Sequence, residues 1–332
     1  MLRLPRLRYR RPASAREAAA MAAELGSRAM LVAGGTDLFP KLKRRQFDPD
    51  TLIGLAHLTA LRGTTAGAGG GFELGALVTL AEVTEHEGLA EAHPGYVEAA
   101  GLVSSPPLRN AGTIGGNLCV DTRCNYYDMT YEWRESVGFC MKKDGDICLV
   151  APRSSRCWAV SSSDTAPMAL ALGATVVLTG PDGERELPAA SLYRDDGIDY
   201  LAKQPHEVLT ALRLPAPGGV RSAYVKLRRR GSIDFPIAGV AVAARIEGGT
   251  VEWARLALSG VGSRPVEAPA AGAFLAGKPL TPEVIEQAAT LAAAPAKPLD
   301  NTDLTHFWRK RMVRVLAEQA LQKVAAPDPA RR

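Results

Sequence analysis

Cysteine is scarce in this chain, with five in 332 residues, and four of the five fall within one 34-residue stretch. Long apolar runs are missing altogether. Nothing approaches the ~20 consecutive apolar residues of a membrane-spanning helix, so no membrane insertion is expected. The basic N-terminus, MLRLPRLRYRRPAS, lacks the apolar core of a secretory leader, which points to a cytoplasmic protein with reduced thiols. Two phosphate-binding signatures are also lacking. No G-x-G-x-x-G follows a strand with an acidic residue ~20 positions on, and no G-x-x-x-x-G-K-[ST] occurs, which argues against a standard Rossmann or Walker site. The net charge of +5 is mild. Arginines gather at Arg3, Arg6, Arg8, Arg10 and Arg11 and again at Arg228, Arg229 and Arg230, without the interleaved aromatics of a nucleic-acid reader. Such runs read first as solvated surface and second as a dock for an acidic protein.

What is present suffices for two or three domains and a well-buried core. Ser14 and Glu17 form a capping-box pattern ahead of an alanine-rich helix that Gly26 can end. AMLVA (29–33) reads as a short buried strand, followed by a helix and a strand through TLIGLAHL. TTAGAGGG (64–71) reads as a flexible turn, FELGALVTL as a strand, and Thr79 with Glu82 as a second capping box. Residues 163–180 read as helix then strand, with Asp182-Gly183 as a hairpin turn. VLTALRLP and SAYVKLRRR read as strands, and 237–260 as a long hairpin around Gly248-Gly249. Amphipathic helices begin at Thr281 and at about Asp303, the latter running to Val324. Strands dominate 170–260 and helices follow 265, which predicts an α+β chain with a boundary near residue 218.

Two glycine loops carry possible phosphate chemistry. Gly34-Gly35-Thr36-Asp37 follows a buried strand, where glycine lets backbone N–H groups approach an anion and a hydroxyl and a carboxylate stand ready beyond. Thr113-Ile114-Gly115-Gly116-Asn117 has the same character. Either alone reads as an ordinary turn. Together they point to a dinucleotide whose pyrophosphate lies between them.

The clustered cysteines are Cys124, Cys140, Cys148 and Cys157, spaced C-x15-C-x7-C-x8-C in an irregular, charged segment. Disulfides fit the expected compartment badly. Structural zinc favours close cysteine pairs or histidine ligands, and the five histidines are scattered. An iron–sulfur cluster needs four converging thiolates and tolerates irregular spacing. Spacing therefore ranks iron–sulfur ahead of zinc and leaves both open. Cys119 reads as a small buried residue.

The motifs LVAGGTDL (31–38), AGTIGGN (111–117), SSSDTAPMALALGA (161–174) and SAYVKLRRR…DFPIAGVAVA (222–243) together resemble the FAD-binding subunit of the molybdenum hydroxylases, the xanthine dehydrogenase family. The likeness runs from about residue 5 to 325. It implies an FAD-binding PCMH-type domain over 1–217 and a CO-dehydrogenase-flavoprotein-like α+β domain over 218–325. In most of that family the T-I-G-G-N loop leads shortly to Ser-Asp-x-x-Pro. Here the cysteine segment intervenes, an insertion at about 121–160. It resembles the branch found in 4-hydroxybenzoyl-CoA reductases, where the insert carries a [4Fe–4S] cluster.

The resemblance implies a flavin site made of Leu31, Val32, Ala33, Gly34, Gly35, Thr36, Asp37 and Leu38 around the pyrophosphate, with Thr113, Gly116 and Asn117 from the second loop. It adds Asp164 on the ribityl or adenosine side, Leu209 as an apolar contact and Lys226 near the flavin ring, where a cation favours the anionic reduced flavin. No aromatic is placed against the ring, and Val103 occupies roughly that zone. Cys124, Cys140, Cys148 and Cys157 are the implied [4Fe–4S] ligands. No catalytic residue is expected on this chain. The implied partners are a molybdopterin-containing large subunit, a small subunit with two [2Fe–2S] clusters and ferredoxin as electron donor, in a dimer of heterotrimers. The implied role is electron delivery for reductive removal of a phenolic hydroxyl, with another aromatic or heterocyclic substrate as the alternative.

Overall fold

The computed structural model describes residues 2–326. Strands β1 (Arg8–Arg10), β2 (Ala29–Val32) and β3 (Thr51–Gly54) form a small parallel sheet in the order β1-β3-β2. β3 is buried at all four positions, as a central parallel strand must be when both faces are covered. A second, antiparallel sheet contains β4 (Thr64–Ala66), β5 (Phe72–Gly75), β6 (Thr175–Thr179), β7 (Glu184–Pro188) and β8 (Val208–Leu214), in the order β4-β5-β8-β6-β7. The third holds β9 (Val220–Leu227), β10 (Ala238–Glu247), β11 (Thr250–Ser259) and β12 (Val266–Glu267), in the order β12-β11-β10-β9. The expected α+β composition is what forms.

The third sheet separates two cores by simple alternation. Along β10, Val240, Val242 and Ala244 face one core, and Ala241 and Ala243 face the other. Helices Pro269–Leu275, Pro282–Ala293 and His306–Ala325 supply the apolar side chains of the first of these cores. The Thr165–Leu172 helix, buried at every position, packs on the opposite face against β10 and β11. A helix that is apolar all round has no stable place except between layers. This sandwiching brings the start of that helix, at Asp164, against β9.

Local signals explain most boundaries. Ser14 accepts the Glu17 N–H, but Glu17 Oε2 reaches back to the Ala13 N–H at 2.5 Å, so the first capping box closes one residue early. At Thr79 both halves of the box form with Glu82. The glycine-rich stretch 64–71 is not all turn. Thr64–Ala66 pairs with β5, because the β-branched Thr64 and Thr65 favour a strand and the glycine-rich part begins only at Gly67. The strand expected through FELGALVTL stops at Gly75, and that of SAYVKLRRR stops at Leu227. A helix over Pro269–Leu275 was not expected, and the last helix begins at His306, N-capped by Thr305. Among the described residues no helix is long and apolar enough to cross a membrane.

The cysteine segment leaves and rejoins the fold at one point. Arg123 and Val160 exchange backbone hydrogen bonds of 2.9 and 2.7 Å in an antiparallel bridge. Inside the excursion, Thr130 caps a short helix, Tyr131–Ser136. The Asn125 N–H donates to the Asn301 carbonyl at 2.8 Å, and the Asn301 amide donates to the Trp158 carbonyl at 2.6 Å. Asn301 in turn accepts from Arg309, a fully buried guanidinium that also donates to the carbonyls of Ile237, Leu299 and Gly260. Burial lowers the Arg309 pKa to about 10, which leaves it charged at neutral pH.

Candidate functional site

β2 carries Leu31 and Val32, and beyond Ala33 the chain turns through Gly34 and Gly35 into the Leu38–Lys43 helix. Gly35 has φ +71°, a conformation glycine adopts without steric cost. Gly34 matters for a different reason. A Cβ there would stand 1.8 Å from the Ala111 carbonyl oxygen. The absence of that atom lets the two glycine loops abut.

The second loop is more ordered than its sequence suggests. Thr113 accepts the Gly116 N–H at 3.1 Å and thereby N-caps a short helix, Ile114–Leu118, so the T-I-G-G-N segment is a first helical turn and not an open loop. Asn117 Oδ1 accepts from the hydroxyls of Ser163 and Thr165, both at 2.7 Å, and ties this turn to the Thr165–Leu172 helix. Asp37 stands at the other loop, 3.1 Å from Arg123 and 3.9 Å from Lys41. Burial raises its pKa, and those two cations work against the rise. Thr36 is exposed beside it.

Asp164 and Lys226 meet directly. Lys226, whose side chain has no exposed surface, donates to Asp164 Oδ2 at 2.9 Å and to the carbonyls of Leu102 and Asp234 at 2.9 and 3.1 Å. The other Asp164 oxygen accepts from Tyr224 at 2.8 Å. Burial pushes the Asp164 carboxyl up, and Lys226 is the chief opposing influence. Beside this pair Ser104 and Ile233 take φ of +47° and +53°, and the Ile233 N–H donates to the Ser104 carbonyl at 3.1 Å. Non-glycine residues adopt that region at a cost of roughly 1–3 kcal/mol, and such strain gathers at functional sites. Val103 lies partly buried next to Ser104. Leu209 lies on β8 opposite Leu178, buried in the core between sheets.

Sequence reasoning missed Arg123. It pairs with Asp37 and with Asp128 at 3.5 Å, and its guanidinium lies 3.8 Å from the centre of the Phe235 ring. It therefore joins the first glycine loop, the cysteine segment and the 228–235 turn. Its place one residue before Cys124 was the available signal.

Cys124, Cys140, Cys148 and Cys157 line one cavity, with Tyr126, Tyr127 and Met141 among its walls. All four are buried and carry free thiols. Burial pushes the Cys124 thiol up to about 12 and Cys157 to about 11, so both are neutral at pH 7. The free space is about 10 Å³, roughly one water. Among the described residues no group of three or more His, Cys, Asp or Glu is arranged to hold a metal ion as the side chains stand. The donor set is all thiol, the ligand type of an iron–sulfur cluster, but as the side chains stand the four sulfurs are not arranged around a metal and the space between them is that of one water. Cys119 lies apart from this cavity, packed against the core that Ala241 and Ala243 of β10 face. A separate cleft of about 220 Å³ is lined by Arg3, Lys43, Arg44 and Arg45 with Tyr131 and Glu132, and no residue expected at a cofactor lines it.

Two family models match the chain: the FAD binding domain in molybdopterin dehydrogenase over residues 5–217, and the CO dehydrogenase flavoprotein C-terminal domain over residues 222–324. The carbon monoxide dehydrogenase medium chain of Afipia carboxidovorans is 30% identical over 319 residues, 96% of each chain. The aldehyde oxidoreductase FAD-binding subunit of Escherichia coli is 30% identical over 77% of this chain and 82% of its own. Among solved structures, reconstituted CO dehydrogenase from Oligotropha carboxidovorans superposes with a TM-score of 0.82 at 28% identity, covering 98% of this chain and all of that one.

Proposed function

The chain belongs to the FAD-binding subunits of the molybdenum hydroxylases, the xanthine dehydrogenase and CO dehydrogenase family, and on that premise we propose that it is the FAD and [4Fe–4S] subunit of a 4-hydroxybenzoyl-CoA reductase. The observation that carries the finer reading is the cavity shared by Cys124, Cys140, Cys148 and Cys157. When bound, FAD supplies exchange between two-electron and one-electron chemistry, and a [4Fe–4S] cluster supplies one-electron transfer.

The chain's own residues have definite tasks in this reading. Gly34 lets the two glycine loops abut and Gly35 turns the chain at positive φ, so that backbone N–H groups can face a pyrophosphate, and Ala33, Thr36 and Asp37 complete that cradle with Leu31, Val32 and Leu38 behind it. Thr113, Gly116 and Asn117 close it from the second loop. The Asp164–Lys226 pair holds a cation in a dry setting close to strained backbone, where its charge favours an anionic reduced ring. Leu209 supplies apolar backing. The four cysteines hold the cluster as thiolates, and their burial excludes competing ligands. The domains divide at 217/218, with the insertion at about 121–160 grafted onto the first. The partners are a molybdopterin large subunit, a small subunit with two [2Fe–2S] clusters and ferredoxin as donor, assembled as a dimer of heterotrimers in the cytoplasm.

A second reading has its own support. The relatives named above are CO dehydrogenase and aldehyde oxidoreductase subunits, so a molybdenum hydroxylase with a different substrate fits the family equally well. Iron, zinc, acid-labile sulfide and FAD are to be counted on anaerobically purified protein, with EPR after dithionite. About four iron and four sulfide per FAD, lost in Cys140→Ser while FAD remains, supports the cluster. Zinc in place of iron sinks it. Turnover of 4-hydroxybenzoyl-CoA with reduced ferredoxin by the assembled enzyme separates the two substrate readings.

A further inference from the structure

Between the cysteine cavity and the first glycine loop runs a row of buried charges that the flavin and cluster assignments leave unexplained. Lys142 lines the cavity together with all four cysteines, and its side chain is 6% exposed. Its ammonium donates to Asp121 Oδ1 at 2.8 Å, to the Gly197 carbonyl at 2.6 Å and to the Thr122 hydroxyl. The second Asp121 oxygen accepts from Lys41 at 2.5 Å, and Lys41 is 2% exposed. Lys41 belongs to the Leu38–Lys43 helix that the glycine loop leads into, and its ammonium stands 3.9 Å from Asp37. Both ammonium groups also lie about 5 Å from the Tyr127 ring, a cavity wall, at 5.1 Å for Lys41 and 4.8 Å for Lys142.

The charges of the row alternate in sign, Lys142, Asp121, Lys41 and Asp37, and balance overall. Of these four, Lys142 is the one that lines the cysteine cavity, so the cation is the member set beside the thiols. Adding an electron to a group held by those thiols adds negative charge. A fixed cation at the wall of the same cavity, in a dry setting, stabilises that form far more than it would in water. Burial and charge near a cluster are among the factors that set its potential.

We propose that Lys142 is the cation that sets the reduction potential of the cluster held by Cys124, Cys140, Cys148 and Cys157, with Asp121 and Lys41 positioning it from the glycine-loop side. The inference rests on the cysteines holding a cluster, as proposed above. It makes Lys142 a tuning residue and assigns opposite signs to two substitutions. Lys142→Gln removes the cation and moves the midpoint potential to more negative values. Asp121→Asn removes the carboxylate that screens it and moves the midpoint to more positive values.

The test is EPR-monitored redox titration of the anaerobically purified full-length protein, with iron, sulfide and FAD counted for each variant. Lys142→Gln is expected to shift the reduced-to-oxidised ratio at fixed potential at least tenfold against reduction, which is 59 mV for one electron. Lys142→Arg is expected to restore most of the shift, and Asp121→Asn to move the other way. Full iron with an unmoved midpoint in Lys142→Gln overturns the proposal, as does a shift of the same sign in both variants, which marks loosened packing. If Lys142→Gln takes up no iron, Asp121→Asn decides by the sign of its shift. A wild-type protein without iron removes the cluster itself, and this inference with it.

Discussion

Asp164 and Lys226 form a 2.9 Å ion pair away from solvent, one at the start of the wholly buried Thr165–Leu172 helix and the other on β9 of the third sheet. The side chains are 3% and 0% exposed. Breaking a buried pair by removing one partner costs about 3–5 kcal/mol, because the other charge is left alone. Lys226→Met is therefore expected to lower unfolding stability by that order and to weaken FAD retention. The double variant Asp164→Asn/Lys226→Met recovers part of the stability. Urea unfolding with FAD counted per chain checks both, and an undisturbed Lys226→Met would argue that water already reaches the pair.

Gly34 gives a sharper contrast between folding and binding. The absence of its Cβ is what lets the first loop lie against the Ala111 carbonyl. Gly34→Ala is expected to push the loops apart and reduce FAD affinity at least tenfold, about 1.4 kcal/mol, while far-UV dichroism stays native. FAD titration by fluorescence quenching reads the affinity. Unchanged binding would place the phosphates away from this contact.

Glu207 and Arg185 make a two-point contact of 2.6 and 2.9 Å. The Arg185 hydrogen bonds hold the Glu207 carboxyl below its ordinary value. A depressed carboxyl stabilises the fold above the unfolded-state value and ceases to do so as pH falls through the folded one. The melting-temperature gap between wild type and Glu207→Gln is therefore expected to be full at neutral pH and to close below about pH 4.3. A gap independent of pH between 7 and 3 would mean the pair contributes packing and no charge.

Arg309 satisfies three backbone carbonyls and the Asn301 side chain, and among the described residues no carboxylate lies within 4 Å of it. Arg309→Leu leaves those acceptors buried and unpaired, each worth about 1–3 kcal/mol. A loss of at least 3 kcal/mol is expected on those grounds, with Asn125 and Trp158 loosened through Asn301. Hydrogen exchange at the Asn125 amide reports the second effect.

Much of the scaffold was legible because its signals are local. The Thr79–Glu82 box, the Gly248-Gly249 hairpin and the wholly apolar Thr165–Leu172 helix each need only neighbouring residues. The sheet order was not legible, since β8 inserts between β5 and β6 through pairings far apart in sequence. Nor were Lys41, Asp121, Lys142 and Arg309. A charged side chain reads as surface until its partner is known, and these partners come from distant segments. The glycine loops were found by composition, but their direct contact rests on Gly34 meeting Ala111, which no local pattern encodes.

The bridge between Arg123 and Val160 has a consequence for how such a chain can change. Because the two ends of the segment already hold each other, its length is invisible to the sheets on either side. The protein has a socket at that neck, into which a shorter loop, a longer one or a different set of ligands could be spliced while the strands and helices beyond keep their places. What such a splice must respect lies outside the neck: Asn301, which receives Asn125 and grips Trp158, and Lys41, which waits for Asp121.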